Sequence, residues 1–287
     1  MTKALLPKLS IFQAIALAFL AKFSLALLFT LAVQLHGGDA ESVAARLASD
    51  PFILASIQFI AFGAVLALGL SLAAPKESLR GALALQKIGL RELLTALIAG
   101  LALAIVLSET DNIFREIRPL REHERAQLAR LLDQDALLAR LGLAFAISIV
   151  APITEEALFR GLMLRGIART RGPYLALIIS SALFGLGHVD PGADLNWPTL
   201  IVTALAGLYL GWITLVSGSI TPAILIHSAH NAVALIPVER LPIPGLNVLE
   251  GDGEAIAHLP IASVAVAALS LLIAAVFFTR RDASTTP

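Results

Sequence analysis

Three short polar intrusions into apolar stretches carry the residue types that chemistry needs. The first is TEEALFRG at 154–161, where Glu155, Glu156 and Arg160 have apolar residues on both sides. A charge at the centre of a membrane span costs at least about 2.5–3.5 kcal/mol on insertion scales, so such residues are functional candidates by default. Successive helical positions differ by about 100°, so the two acids face different directions. Glu156 and Arg160 lie at i, i+4 with the acid first, the favourable order for an ion pair. That assigns Glu156 to a supporting bridge and leaves Glu155 for another task. Pro152, just upstream, has no backbone N–H to donate. It predicts a kink, and a fresh helical N-terminus there would favour both carboxylates in their ionised form.

The second intrusion is SALFGLGHVDPG, in which His188 ends an apolar run after Gly185 and Gly187. Two glycines allow another backbone to approach closely and pack around the imidazole. The third is ILIHSAHNAV. Here His227 and Asn231 share a helix face and His230 points partly aside. Thr221-Pro222 opens this helix as an N-cap and first-turn pair. Each intrusion also has a plain structural reading, as an interspan ion pair or hydrogen-bonding glue.

A carboxylate and an imidazole flanking one water form a general-base arrangement for hydrolysis. A second histidine with an asparagine supplies donors for a developing oxyanion. Glu155, His188 and His227 are alternatively the oxygen and nitrogen ligands that Zn2+ takes, in which case the metal would activate the water. The residues leave open whether the site uses zinc or no cofactor. No HExxH motif, glycine-rich phosphate loop or nucleophile elbow is present, and the absence of cysteine excludes a thiol nucleophile, a thiolate zinc site and a disulfide framework.

The elements that must position these groups are membrane helices. Of the 287 residues, 57% are hydrophobic and 15% charged, against roughly half and a quarter in a soluble domain. A span needs roughly 20 apolar residues. Runs at 11–35, 52–74, 92–108, 141–159, 174–189, 198–216, 222–237 and 260–278 give an all-α, polytopic chain of about eight spans with an intramembrane cavity. The first run, after Lys3 and Lys8, is too long for a signal-peptide core and reads as a retained span. Lys22 interrupts it, to snorkel or to pair with a carboxylate. Net charge is zero, and nothing in the balance points to nucleic acid.

Four regions follow: three N-terminal spans (1–108), an amphipathic polar connector (109–140), the motif-bearing core (141–237), and an outer loop with the last span and a short tail (238–287). In the connector, Leu128, Leu131, Leu132 and Leu138 recur at helical spacing among charges, which predicts an interfacial helix broken from what precedes it at Arg118-Pro119. The connector reads as a solvated link or as a gate. Counting Lys and Arg with the N-terminus inside puts twelve on the inner side, Arg160 among them, and eight outside, so both termini are expected in the cytoplasm of a multi-pass cell-membrane protein. If a hairpin turns near Arg171-Gly172-Pro173, Glu155 and His188 each lie about 24 Å from the turn and face each other.

In order along the chain, EEALFR fits EExxxR, FGLGH fits FxxxH and HSAHN fits HxxxN. With this trio the chain resembles the CPBP intramembrane proteases, the family of type II CAAX prenyl endopeptidases and bacterial Abi proteins, over roughly Pro152 to Pro237. The resemblance implies an eight-span helical fold and hydrolysis of a peptide bond in a membrane-anchored peptide or protein. It implies that Glu155 activates water with His188, that His227 and Asn231 bind the oxyanion, and that Glu156 and Arg160 belong to the scaffold. The reading from a different class is a non-catalytic transporter or bacteriocin-immunity-type binding protein using the same buried charges.

Overall fold

The computed structural model describes residues 8–73, 78–132, 136–189, 195–236, 243–247 and 255–284. Among the described residues the architecture is helical, with no strand. The principal helices are α1 (Ile11–His36), α2 (Ala40–Ala48), α3 (Pro51–Ala73), α4 (Leu90–Arg115) and α5 (Glu122–Leu132). They continue with α6 (Leu137–Arg171), α7 (Pro173–Gly187), α8 (Trp197–Ser217), α9 (Thr221–Ala234) and α10 (Ile261–Ser284). Six of these, α1, α3, α4, α6, α8 and α10, are long and apolar enough to cross a membrane. The other two expected spans are α7 and α9, with 15 and 14 residues. Large apolar side chains point outward along the long helices, among them Phe12, Phe59, Ile98 and Leu272. That is the pattern of a bundle facing hydrocarbon rather than water.

The longest helix, α6, is the axis of the fold. It packs against α3, α7, α8 and α9, while α4 lies between α9 and α10. Its backbone is not uniform: π-helical turns at Ala146–Val150 and Ala157–Leu164 bracket an α-helical segment, Ala151–Glu156. An i→i+5 turn holds one residue more than an α turn and so changes the face that the next residues present; such turns recur at functional sites. Both acids follow the first π turn.

This geometry corrects the expected fresh helical N-terminus. The helix does not restart after Pro152, since Val150 and Ala151 keep right-handed helical dihedrals and no fresh N-terminus forms. In the first π turn Ala151 N–H donates to the Ala146 carbonyl, five residues back. The next such pair would be Pro152 and Ile147, and proline has no hydrogen to give. Asn231 of α9 fills that place, its Nδ2 donating to the Ile147 carbonyl at 2.8 Å. In the second π turn Ser180 of α7 donates to the Phe159 carbonyl at 3.0 Å.

The turn between α6 and α7 falls where expected, with Gly172 at φ +87° ahead of Pro173. Gly185 meets the expectation of close approach, because a Cβ there would sit 2.6 Å from the Leu200 carbonyl oxygen on α8. Gly187 does not, its nearest neighbour being 3.9 Å away. The cap of α9 also differs: Ile220 holds the cap position and Thr221 is already helical. Ser219 Oγ accepts from Thr221 N–H, and the Thr221 hydroxyl donates to the Gln86 carbonyl.

The connector is shorter than its composition suggested. Helix α4 runs on to Arg115, and Leu138 belongs to the first turn of α6. Between them α5 carries Leu128, Leu131 and Leu132 after the break at Pro119. It is tied down at one end, where Arg118 donates twice to Glu124, at 3.0 and 2.9 Å, and Asn196 Nδ2 donates to the same carboxylate at 2.9 Å. Burial pushes the Glu124 carboxyl up, but the bonds from Arg118 and from Arg121 N–H outweigh it and hold the group below its ordinary range. Lys3, Lys76, Arg240 and much of the outer loop used in the charge count lie outside the described residues.

Candidate active site

The site is assembled from α3, α6, α7 and α9. Glu156 and Arg160 lie one helical step apart on the inner face of α6, and neither side chain has any exposed surface. Arg160 Nη1 donates to Glu156 Oε1 at 2.9 Å, as the spacing predicts. Its Nη2 donates to the Gly207 carbonyl of α8 at 3.2 Å, and the guanidinium stacks over the Phe184 ring at 4.2 Å. A Cβ at Gly207 would lie 3.1 Å from Ser181 Cα and 3.3 Å from Arg160 Nη2, tight enough that α7 or the guanidinium would have to shift by a few tenths of an ångström. Arg160 is therefore a buried structural charge and drops out of the inner-side count. A pair this deep loses hydration, and the ring, the carbonyl and the carboxylate together offset that loss.

Glu156 Oε1 has a second partner, Nδ1 of His227, at 2.9 Å. A carboxylate only accepts, so Nδ1 carries the hydrogen and Nε2 is left facing Glu155. His188 is held in the same way. It caps the C-terminus of α7, and its Nδ1 donates to the Phe184 carbonyl at 2.8 Å. Phe184 packs its ring against both imidazoles, 4.6 Å from His188 and 5.8 Å from His227, centroid to centroid. One aromatic side chain thus fixes both rings and Arg160.

Glu155 points the other way from Glu156, as the helical offset requires. Its Oε2 lies 3.9 Å from Nε2 of His188 and 3.9 Å from Nε2 of His227. Those separations are too long for direct hydrogen bonds and are the span that one bridging water fills. Its other oxygen accepts from Gln58 Nε2 of α3 at 3.1 Å. Gln58 was not among the residues read from the sequence, although it is the single amide in an apolar span. Of the predicted residues, Glu155, His188 and His227 converge, and Glu156, paired with Arg160, binds His227 through Nδ1. Asn231 meets α6 through Ile147. The backbone of His230 lies at the crossing where Gly100 of α4 approaches α9.

Carboxylate oxygen and imidazole nitrogen suit zinc in kind, and both Nδ1 atoms are held by acceptors in the way that orients metal-bound imidazoles. Among the described residues, however, no three carboxylate and imidazole groups stand in the mutual arrangement a metal ion requires. A cavity of about 410 Å³ opens beside His188, walled by Arg115, Glu124, Leu128, Leu131 and Asn196. Its outer wall is α5.

Residues 137–233 match the family model described as type II CAAX prenyl endopeptidase Rce1-like. The matched segment runs from the start of α6 almost to the end of α9 and supports the resemblance carried by the three motifs. It indicates a protease, and with the six apolar helices it indicates a multi-pass membrane protein. No curated protein and no solved structure matches the chain.

Proposed function

We propose that the protein is an intramembrane endopeptidase that hydrolyses a peptide bond in a membrane-anchored peptide or protein, with Glu155 as the general base. The observation that carries this reading is the position of Glu155 Oε2, 3.9 Å from two imidazole Nε2 atoms. A water held among the three loses a proton to Glu155 as its oxygen attacks the scissile carbonyl. The C–O bond forms and the carbonyl becomes an oxyanion. As the C–N bond breaks, the proton on Glu155 passes to the leaving amine. His188 orients the water through its Nε2 lone pair. His227, when it carries a second proton, donates Nε2–H to the oxyanion, and the Glu156 carboxylate behind it stabilises that charge. Asn231 contributes through its tie to Ile147, which sets the register of α9 on α6. Each step uses side chains alone.

The cavity beside His188 supports the reading by leaving room for a peptide next to that imidazole. The eight-span arrangement, with α7 and α9 as short spans around the site and both termini in the cytoplasm, belongs to the same proposal. The test is incubation of the purified, reconstituted protein with membrane-tethered peptides and mass analysis of the products. Two fragments differing from the substrate by one water are expected. A protein that binds such peptides and releases no fragment would instead be a binding or transport protein, the reading that the family match does not favour.

A further inference from the structure

We infer that Lys22 is a positioning residue for His188, so that the first span takes part in building the active site. Lys22 stands in the middle of α1, far outside the segment that matches the protease family model. Its Nζ donates to the carbonyl of Val189 and lies 3.5 Å from the carbonyl of Gly187. These are the two carbonyls that flank His188 in the chain. α1 packs along α7, which brings the ammonium to this end from a position 165 residues earlier.

The physical case rests on where His188 sits. It is the cap residue of α7, beyond the last full helical residue, with its own N–H bonded to the Gly185 carbonyl at 3.0 Å. The last carbonyls of a helix have no partner within it, and they carry the negative end of the helix dipole. A cation that binds carbonyls on both sides of the cap residue neutralises that end and stops it fraying. The Gly187 carbonyl belongs to the peptide unit that leads into His188 and the Val189 carbonyl to the unit one residue beyond it, so the ammonium restrains the backbone on both sides of His188. Among the described residues the ring is held by the Phe184 carbonyl and ring, so loss of the backbone anchor would let Nε2 drift from Glu155. A 1 Å misplacement of a reacting group can cost on the order of 10²-fold in rate. The ammonium inside the first span thus has a specific occupation at the carbonyls beside His188.

This inference rests on the proteolytic reading, and its test has one arm that does not. Lys22→Met keeps the stem and removes the charge, while Lys22→Arg keeps a donor. Hydrogen exchange of the purified protein should show faster exchange at residues 185–189 in Lys22→Met than in the unmodified chain, with α10 unchanged. In peptide cleavage, Lys22→Met should lower kcat tenfold or more with KM within about twofold, and Lys22→Arg should recover most of the loss. Unchanged exchange at 185–189 would overturn the inference whether or not the protein cleaves peptides. So would faster exchange in Lys22→Met with kcat within twofold of the unmodified protein. Loss of activity only in proportion to loss of folded protein would make Lys22 a packing residue and equally overturn it. Failure of the unmodified protein to cleave any peptide overturns the proteolytic reading, and with it the assignment of Lys22 to catalysis.

Discussion

Nδ1 of His227 stands 2.9 Å from Oε1 of Glu156, a carboxylate with no exposed surface. The same oxygen receives Arg160 at 2.9 Å, so one atom joins α9 to the axis of the fold. Glu155 Oε2 lies 3.9 Å from the other nitrogen of the same ring. His227 therefore links the structural carboxylate to the proposed base.

Removing one member of the buried pair leaves its partner charged and unmatched. Glu156→Ala and Arg160→Ala should each destabilise the protein by about 3–5 kcal/mol, whereas the double change to leucine should recover much of that loss. Denaturant or thermal unfolding in detergent checks both. Single variants as stable as the unmodified protein would show that the pair is not the anchor described.

The bond from Asn231 to Ile147 exists because Pro152 cannot supply one. Asn231→Ala should cost about 0.6–1.7 kcal/mol, the range for polar contacts between membrane helices. In a Pro152→Ala background a backbone N–H returns to α6, so the same substitution should cost less. A double-mutant cycle on unfolding free energy measures the coupling. Independent, additive effects would separate Asn231 from the proline, and a loss confined to kcat would make it an oxyanion donor instead.

Some of this was legible in the chain and some was not. The acid pair, its i, i+4 arginine and the two histidine motifs are local patterns, and the Gly172 turn follows from a glycine before a proline. The π turns are not local. They depend on donors from other helices, Asn231 and Ser180, that complete the carbonyls of α6. The sequence therefore suggested a fresh helical N-terminus at Pro152, where the backbone instead widens and continues as helix. The pairing of Arg160 with Glu156 was legible but its depth was not, because its other partners, the Gly207 carbonyl and the Phe184 ring, are remote in sequence. Gln58 was visible as a lone amide in an apolar run, and its position opposite Glu155 required the packing of α3 on α6.

His258 ties the outer loop to the top of α4. Its Nδ1 lies 2.9 Å from Glu109 and its Nε2 3.1 Å from Glu116, and Leu259 N–H also donates to Glu109. The hydrogen bond to Glu109, then that to Glu116, raises the imidazole above its ordinary range. The sign follows: a raised folded value gives a contribution fully present below the unfolded value of about 6.5 and lost as pH rises through the folded one. Protease nicking of the loop near 255–260 should accelerate above that pH. In His258→Gln it should be fast and independent of pH. Nicking that slows as pH rises would contradict the clasp.

Glu155 is the group on which the whole account turns, and Glu155→Gln is its most direct test. The amide keeps the size and the hydrogen bond with Gln58 but cannot take a proton from water. With purified protein reconstituted beside a membrane-tethered peptide, the account predicts a fall in cleavage of about 10²–10⁴-fold, with unfolding temperature unchanged. Cleavage by Glu155→Gln within a few-fold of the unmodified protein would contradict it.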